Sequence, residues 1–263
     1  MAPHQPFGFK HDLDLDLFAL DRLDHLARRA PEGAFKVQLG DEGRERSNGV
    51  GPTYTTLEGT LAEDVAKRRL HVHFHDLPAW AGAEYGAARD QILDQLGLDP
   101  GDRLAESVVI RAFSPDVPVA LHADGEIAID CGVGGTNVWH FYDRTVLSHE
   151  EHEALHRGGQ FLQWREAEEV VFPLAPGEGC VVPSRWPHYL EHPGPEPAVS
   201  FDLGYWTRAA MRERKVYDVN WLLRKAHLHP TPPGVIPGRD AAKRRFFDAA
   251  TLVMRKGDEF RGV

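Results

Sequence analysis

His122 and Asp124 set an imidazole and a carboxylate two residues apart, and 64 positions beyond Asp124 a further imidazole, His188, follows a proline in VPSRWPHYLEH. In an extended strand residues i and i+2 point to the same side, so His122 and Asp124 can grip one cation together. A third ligand from a distant antiparallel strand then completes one face of an octahedron. Two imidazoles and one carboxylate leave three positions open, the arrangement that suits non-haem Fe(II). Those positions take a bidentate co-substrate and dioxygen. The competing reading makes His122 an ordinary core histidine and Asp124 the opening of the turn at Gly125.

Other histidines compete for the role. His192 lies four residues after His188 and shares its strand face, which makes it the rival third ligand. His188 is preferred because it alone follows the Pro187 turn, and His192 is expected to support the metal through a hydrogen bond or to replace His188. Leu70–His75 alternates three histidines (His71, His73, His75), read here as a polar, exposed strand face, with Asp76 pointing the other way. Cys131 and Cys180 fall in expected strands, buried and inert. GVGG at 132–135 lacks the spacing of a phosphate loop and reads as a hairpin turn.

Positioning these groups is the task of a β-rich middle. Segments 106–113, 118–122, 126–131, 137–142, 169–174, 179–183, 188–192 and 198–206 are short, rich in β-branched and aromatic residues, and punctuated by Gly, Pro and Asp. Eight such strands predict an antiparallel jelly roll. Before them, leucines three apart over 17–26 predict an amphipathic helix, 34–39 and 72–74 strands, 41–56 a loop, and 60–69 and 84–96 helices. SHEEHEALHR interrupts the β region as a helix. After Trp206 two amphipathic helices flank the proline-rich HLHPTPPGVIPG. The expectation is one domain over 1–263, with a β core at about 106–206, a helical flank at 1–105 and a helical tail at 207–263.

The 263 residues hold Asp+Glu 40 against Lys+Arg 30, a net charge of −10, with 42% hydrophobic residues. That apolar share excludes wholesale disorder, and the acidic balance argues against a general nucleic-acid or anionic-membrane binder. No stretch approaches the roughly 20 apolar residues of a membrane span. A cytoplasmic protein is expected. Trp221, Leu222, Phe246, Phe247 and Leu252 on the tail suggest a homodimer through the C-terminal helices.

The runs PVALHADGEIAIDCGVGGTNVWHFYD and GCVVPSRWPHYLEHPGPEPAVSFDLGYW resemble the two halves of cupin-like, JmjC-type Fe(II)/2-oxoglutarate oxygenases, most clearly over 106–206. The resemblance implies a mainly β fold with α flanks, a double-stranded β-helix. It implies Fe(II) held by His122, Asp124 and His188, with 2-oxoglutarate and O2 as co-substrates. The activity implied is hydroxylation of a protein, peptide or small molecule, coupled to release of succinate. In that family a Lys after the HxD, or an Arg after the distal His, holds the far carboxylate of the oxo acid. Here Asn137 stands at the first position, and no Arg lies between His188 and Trp206. Arg111, Thr136, Tyr142 and Ser200 are the substitutes, and Trp139, Tyr189, Phe201 and Trp206 the expected pocket walls. Two rivals follow from the departure: a cupin-like binding or regulatory module without turnover, and a metal-dependent dioxygenase or isomerase needing no oxo acid.

Overall fold

The computed structural model describes residues 4–39, 53–54, 57–98, 100–155 and 167–261. The loop expected over 41–56 and the end of SHEEHEALHR lie largely outside these residues, as does the Leu252 side chain.

Twelve strands form among the described residues: β1 (Phe7–Lys10), β2 (Phe35–Leu39), β3 (Thr53–Tyr54), β4 (Leu70–His75), β5 (Arg103–Phe113), β6 (Val119–His122), β7 (Ile127–Gly134), β8 (Asn137–Tyr142), β9 (Glu169–Leu174), β10 (Glu178–Val182), β11 (His188–Glu191) and β12 (Ala198–Thr207). They assemble into an eight-stranded sheet, ordered β1-β10-β7-β12-β5-β4-β2-β3, and a four-stranded sheet, ordered β6-β11-β8-β9. All paired neighbours are antiparallel. The two sheets face each other as a double-stranded β-helix. All eight expected strands form. In the flank the expected strands at 34–39 and 72–74 form as β2 and β4, and β1 and β3 join them in the larger sheet.

Helices α1 (Leu20–Ala27), α2 (Leu61–Lys67), α3 (Leu77–Trp80) and α4 (Ala83–Gln95) precede β5; α5 (His149–Leu155) lies between β8 and β9; α6 (Arg208–Lys225) and α7 (Pro237–Arg261) follow β12. The start of α2 is set by a capping box. Thr60 Oγ1 accepts from the Glu63 amide and Glu63 Oε2 from the Thr60 amide, both at 3.2 Å. Leu23, Leu26, Leu61, Val65, Ile92 and Leu93 bury their apolar faces against the outer face of the large sheet, on Val72, Phe74, Val108, Ile110, Ile129 and Phe201. Each such fully buried side chain contributes roughly 1.5–3 kcal/mol. A second core, between the sheets, joins Trp139, Phe141, Leu174 and Leu190 to Cys180 and Val182.

The hairpin expected over GVGG at 132–135 turns at residues 135–136 instead. Gly132–Gly134 finish β7, and Gly135 turns the chain at φ +60. A Cβ at Gly135 would sit 2.4 Å from the Pro197 carbonyl oxygen, so the turn requires glycine for space as well as for φ. No helix among the described residues is long and apolar enough to cross a membrane.

Candidate metal centre

His122 ends β6 and His188 begins β11, and the register puts the two directly opposite each other. Asp124 lies two residues past β6 in the turn to β7. The ring centroids of His122 and His188 are 4.2 Å apart. Asp124 Oδ2 is 3.9 Å from His122 Nε2 and 3.6 Å from His188 Nε2, and one donor atom from each of the three lies within 4.8 Å of the others.

Both imidazoles are set for ligation. His122 Nδ1 is 2.8 Å from the Ala120 carbonyl and His188 Nδ1 is 2.8 Å from the Trp186 carbonyl. A carbonyl only accepts, so in the neutral ring each Nδ1 carries the proton and each Nε2 presents a lone pair toward Asp124. Burial, and then His122 beside it, pushes the His188 pKa down to about 3, so this ring stays neutral at ordinary pH. The donor set thus fits a divalent cation: two imidazole nitrogens and one carboxylate oxygen, drawn from His122, His188 and Asp124.

Two turns hold the trio. The Arg185 amide donates to the Asp124 carbonyl at 2.7 Å, and Ser184 Oγ donates to the Gly125 carbonyl at 2.6 Å. Arg185 takes φ +68, in the left-handed region, and is 1% exposed. Its guanidinium lies 4.0 Å over the Tyr217 ring and 3.4 Å from Glu213, both on α6, so the tail helix braces the turn.

The inner face of the large sheet is polar. His73, Arg111, Ser200 and Gly132 form one row across β4, β5, β12 and β7. The next row runs His75, Val109, Asp202, Asp130 and Cys180. Arg111 Nε donates to Asp202 Oδ2, and its Nη2 is 3.7 Å from Asp130 Oδ2. Ser200 Oγ donates to the same Asp202 oxygen at 3.0 Å. Burial opposes the Arg111 charge, but Asp202 and Asp130 outweigh it and raise its pKa. Burial, and then the neighbouring Asp202 carboxylate, push the Asp130 pKa well above its ordinary value, against the pull of Arg111.

Of the expected co-substrate residues, Arg111 and Ser200 therefore stand together. Asn137 faces them from the small sheet, fully buried, with its Oδ1 2.8 Å from His192 Nδ1. Its Nδ2 makes no hydrogen bond among the described residues. Thr136 lies in the β7–β8 turn, half-buried. His192 is stacked on Phe113 at 4.0 Å and belongs to this polar chamber instead of the metal trio. Tyr142 points to the other side of the small sheet, where its hydroxyl donates to Glu169 at 2.6 Å. Among the expected walls only Trp139 meets the trio, 5.1 Å from His188. Tyr189 stacks outside on His140, Phe201 packs on Phe18, and Trp206 lies under Arg214.

The exposed histidine face does not exist. His71 is buried and His73 points at the row of Arg111, with the Nε2 of each unpartnered among the described residues. Burial pushes His71 down to about 4 and pushes His73 well below the ordinary imidazole value. Asp130, Asp202 and Arg185 were absent from the expected site. A carboxylate at an inward position of an otherwise apolar strand, as in IAIDC and VSFDL, was the available signal.

Three solved structures of YcfD, a ribosomal oxygenase from Escherichia coli, match this chain over 94% of its length at 15% identity. They are one crystal structure with TM-score 0.52, one complex with cobalt and 2-oxoglutarate at 0.52, and one with cobalt and succinic acid at 0.50. This chain shares their fold. It spans 63–64% of the length of those structures. No protein-family model and no curated protein matches it.

Proposed function

We propose that this chain is an Fe(II)- and 2-oxoglutarate-dependent oxygenase that hydroxylates a protein, peptide or small-molecule substrate, with His122, Asp124 and His188 as the metal ligands. The observation that carries the proposal is the convergence of two lone-pair-bearing Nε2 atoms and one Asp124 oxygen. They converge within a fold shared with an oxygenase solved with cobalt and 2-oxoglutarate. That neighbour is a ribosomal oxygenase, which favours a ribosomal protein among the three substrate classes.

A bound Fe(II) supplies activation of O2 coupled to decarboxylation of the oxo acid. The chain supplies position. The Ala120 and Trp186 carbonyls hold the two imidazole tautomers. Arg111, aimed by Asp202, and Ser200 would hold the oxo acid from the large sheet, and the Asn137 amide would hold it from the small sheet, with Thr136 at the turn beside it. Trp139 packs 5.1 Å from the His188 ring and would wall that side of the site.

The Arg111–Asp202 pair favours a second reading, because the charge that would hold a far carboxylate is already matched. In that reading the same trio serves a dioxygenase or isomerase that needs no oxo acid. Anaerobic loading with Fe(II), then 2-oxoglutarate, then O2, separates the readings. A weak visible band on adding the oxo acid, followed by succinate, supports the first. Bound iron without succinate supports the second, and failure to bind iron leaves a cupin-like module without turnover.

A cytoplasmic place and a homodimer through α6 and α7 belong to the same proposal. Leu222 and Phe246 are exposed on those helices. Sedimentation at micromolar concentration that finds only a 29.4 kDa species removes the dimer.

A further inference from the structure

Charge on this chain is divided by position. Residues 207–263 hold 13 Lys and Arg against 6 Asp and Glu, while residues 1–206 hold 17 against 34. A net charge of −10 therefore conceals a cationic tail on an acidic body, and such asymmetry is itself a sign of an anionic partner.

The tail folds so that this charge converges. Lys215 meets Asp248 at 2.5 Å, while Asn220 and Lys243 both donate to the Thr231 carbonyl, so α6 and α7 run past each other as a hairpin. Arg208, Arg212 and Lys215 recur at i, i+4 and i+7 on one face of α6, and Arg244 and Arg245 stand together on α7. These five cations line a groove of about 420 Å³. Its one carboxylate is Asp248, which Lys215 engages. Arg212, Arg244 and Arg245 form no ion pair among the described residues.

We propose that this groove binds the sugar–phosphate backbone of a single-stranded nucleic acid. Four of the five cations are arginines, whose planar fork matches phosphate oxygens in pairs. On α6 the charges recur about every turn, roughly 5–6 Å, a linear array suited to a linear array of phosphates. A concave groove receives a strand. A membrane surface is instead met by a helix laid flat with an apolar face beneath it. The site is independent of the metal trio, and the opposite face of α6 carries Glu213 and Tyr217 under Arg185.

The test is anisotropy of a short fluorescein-labelled single-stranded RNA titrated with the full chain across a series of salt concentrations. Binding should weaken steeply with salt, with a log–log slope of about −3 for four to five phosphates. The triple variant Arg212→Gln, Arg244→Gln, Arg245→Gln should weaken low-salt binding more than about tenfold and flatten the slope by about 2. The single change Arg245→Gln should do a fraction of this, and Lys225→Gln, outside the groove, should change neither. Circular dichroism and melting temperature check that each variant is folded. Wild-type chain without salt-dependent RNA binding overturns the proposal, as does a folded triple variant with unchanged affinity and slope. Equal competition by poly-glutamate assigns the groove to acidic peptides instead. Binding to anionic vesicles in preference to RNA assigns it to membranes. A dimer that the triple variant dissociates makes it a self-interface.

Discussion

The backbone amide of Arg185 donates to the carbonyl of Asp124 at 2.7 Å, joining the turn that carries the proposed carboxylate ligand to the turn that launches His188. The same residue sends a buried guanidinium to Tyr217 and Glu213 on α6. Substituting Arg185→Met keeps the backbone bond but removes the brace and leaves Glu213 without this partner. Urea unfolding should show a loss of about 2 kcal/mol, the scale of a desolvated cation–π contact, because Glu213 keeps its partner Arg144. Calorimetric titration with Co(II) should show a 10- to 100-fold weaker site. Unchanged metal affinity would mean that the tail only supports stability.

His122→Ala, Asp124→Ala and His188→Ala should each abolish Co(II) or Fe(II) binding, while far-ultraviolet circular dichroism stays that of the folded chain. His192→Ala should keep the metal, because His192 pairs with Asn137. Equal loss in His192→Ala and His188→Ala would show that the wrong position of the strand region had been chosen.

Arg111→Met strips the partner from Asp202 in a buried setting, and urea denaturation should register about 3–5 kcal/mol of destabilisation. If Arg111 also meets the oxo acid, 2-oxoglutarate should bind more than tenfold more weakly to folded, metal-loaded variant. Unaltered 2-oxoglutarate affinity would move the anchor to Asn137 or remove it.

His71 is pushed down to about 4 by burial, against 6.5 for the free side chain. Between these values the unfolded chain binds the extra proton, so stability rises with pH through this window. It is lost as pH falls from about 6.5 toward 4, by up to roughly 3 kcal/mol for this residue. Burial and Arg185 push His152 down to about 4 as well, with the same sign. Urea midpoints followed down the pH scale should fall over that range, and His71→Gln should flatten the fall. An equally steep profile in the variant would contradict the assignment.

Much of the site was legible because its geometry is local. An HxD across the end of one strand and a Pro-His at the start of another specify a shared face without knowledge of the rest of the chain. The strands at 119–122, 137–142 and 169–174 were legible for a similar reason, through side-chain type and turn punctuation. Leu70–His75 misled because alternation reveals two faces but not which is wet. Here the polar face turns inward, since the chamber between the sheets is itself polar at that end. The larger sheet was under-counted because Phe7–Lys10 and Thr53–Tyr54 are edge strands too short to announce themselves. Whole-chain charge likewise averaged away the groove between α6 and α7.

His122 and His188 each take their orientation from a main-chain oxygen two residues earlier. Peptide oxygens are supplied by every amino acid, so these two hydrogen bonds ask nothing of the side chains at Ala120 and Trp186. The fold of the main chain, and not a partner side chain, thus decides which nitrogen of each ring faces Asp124.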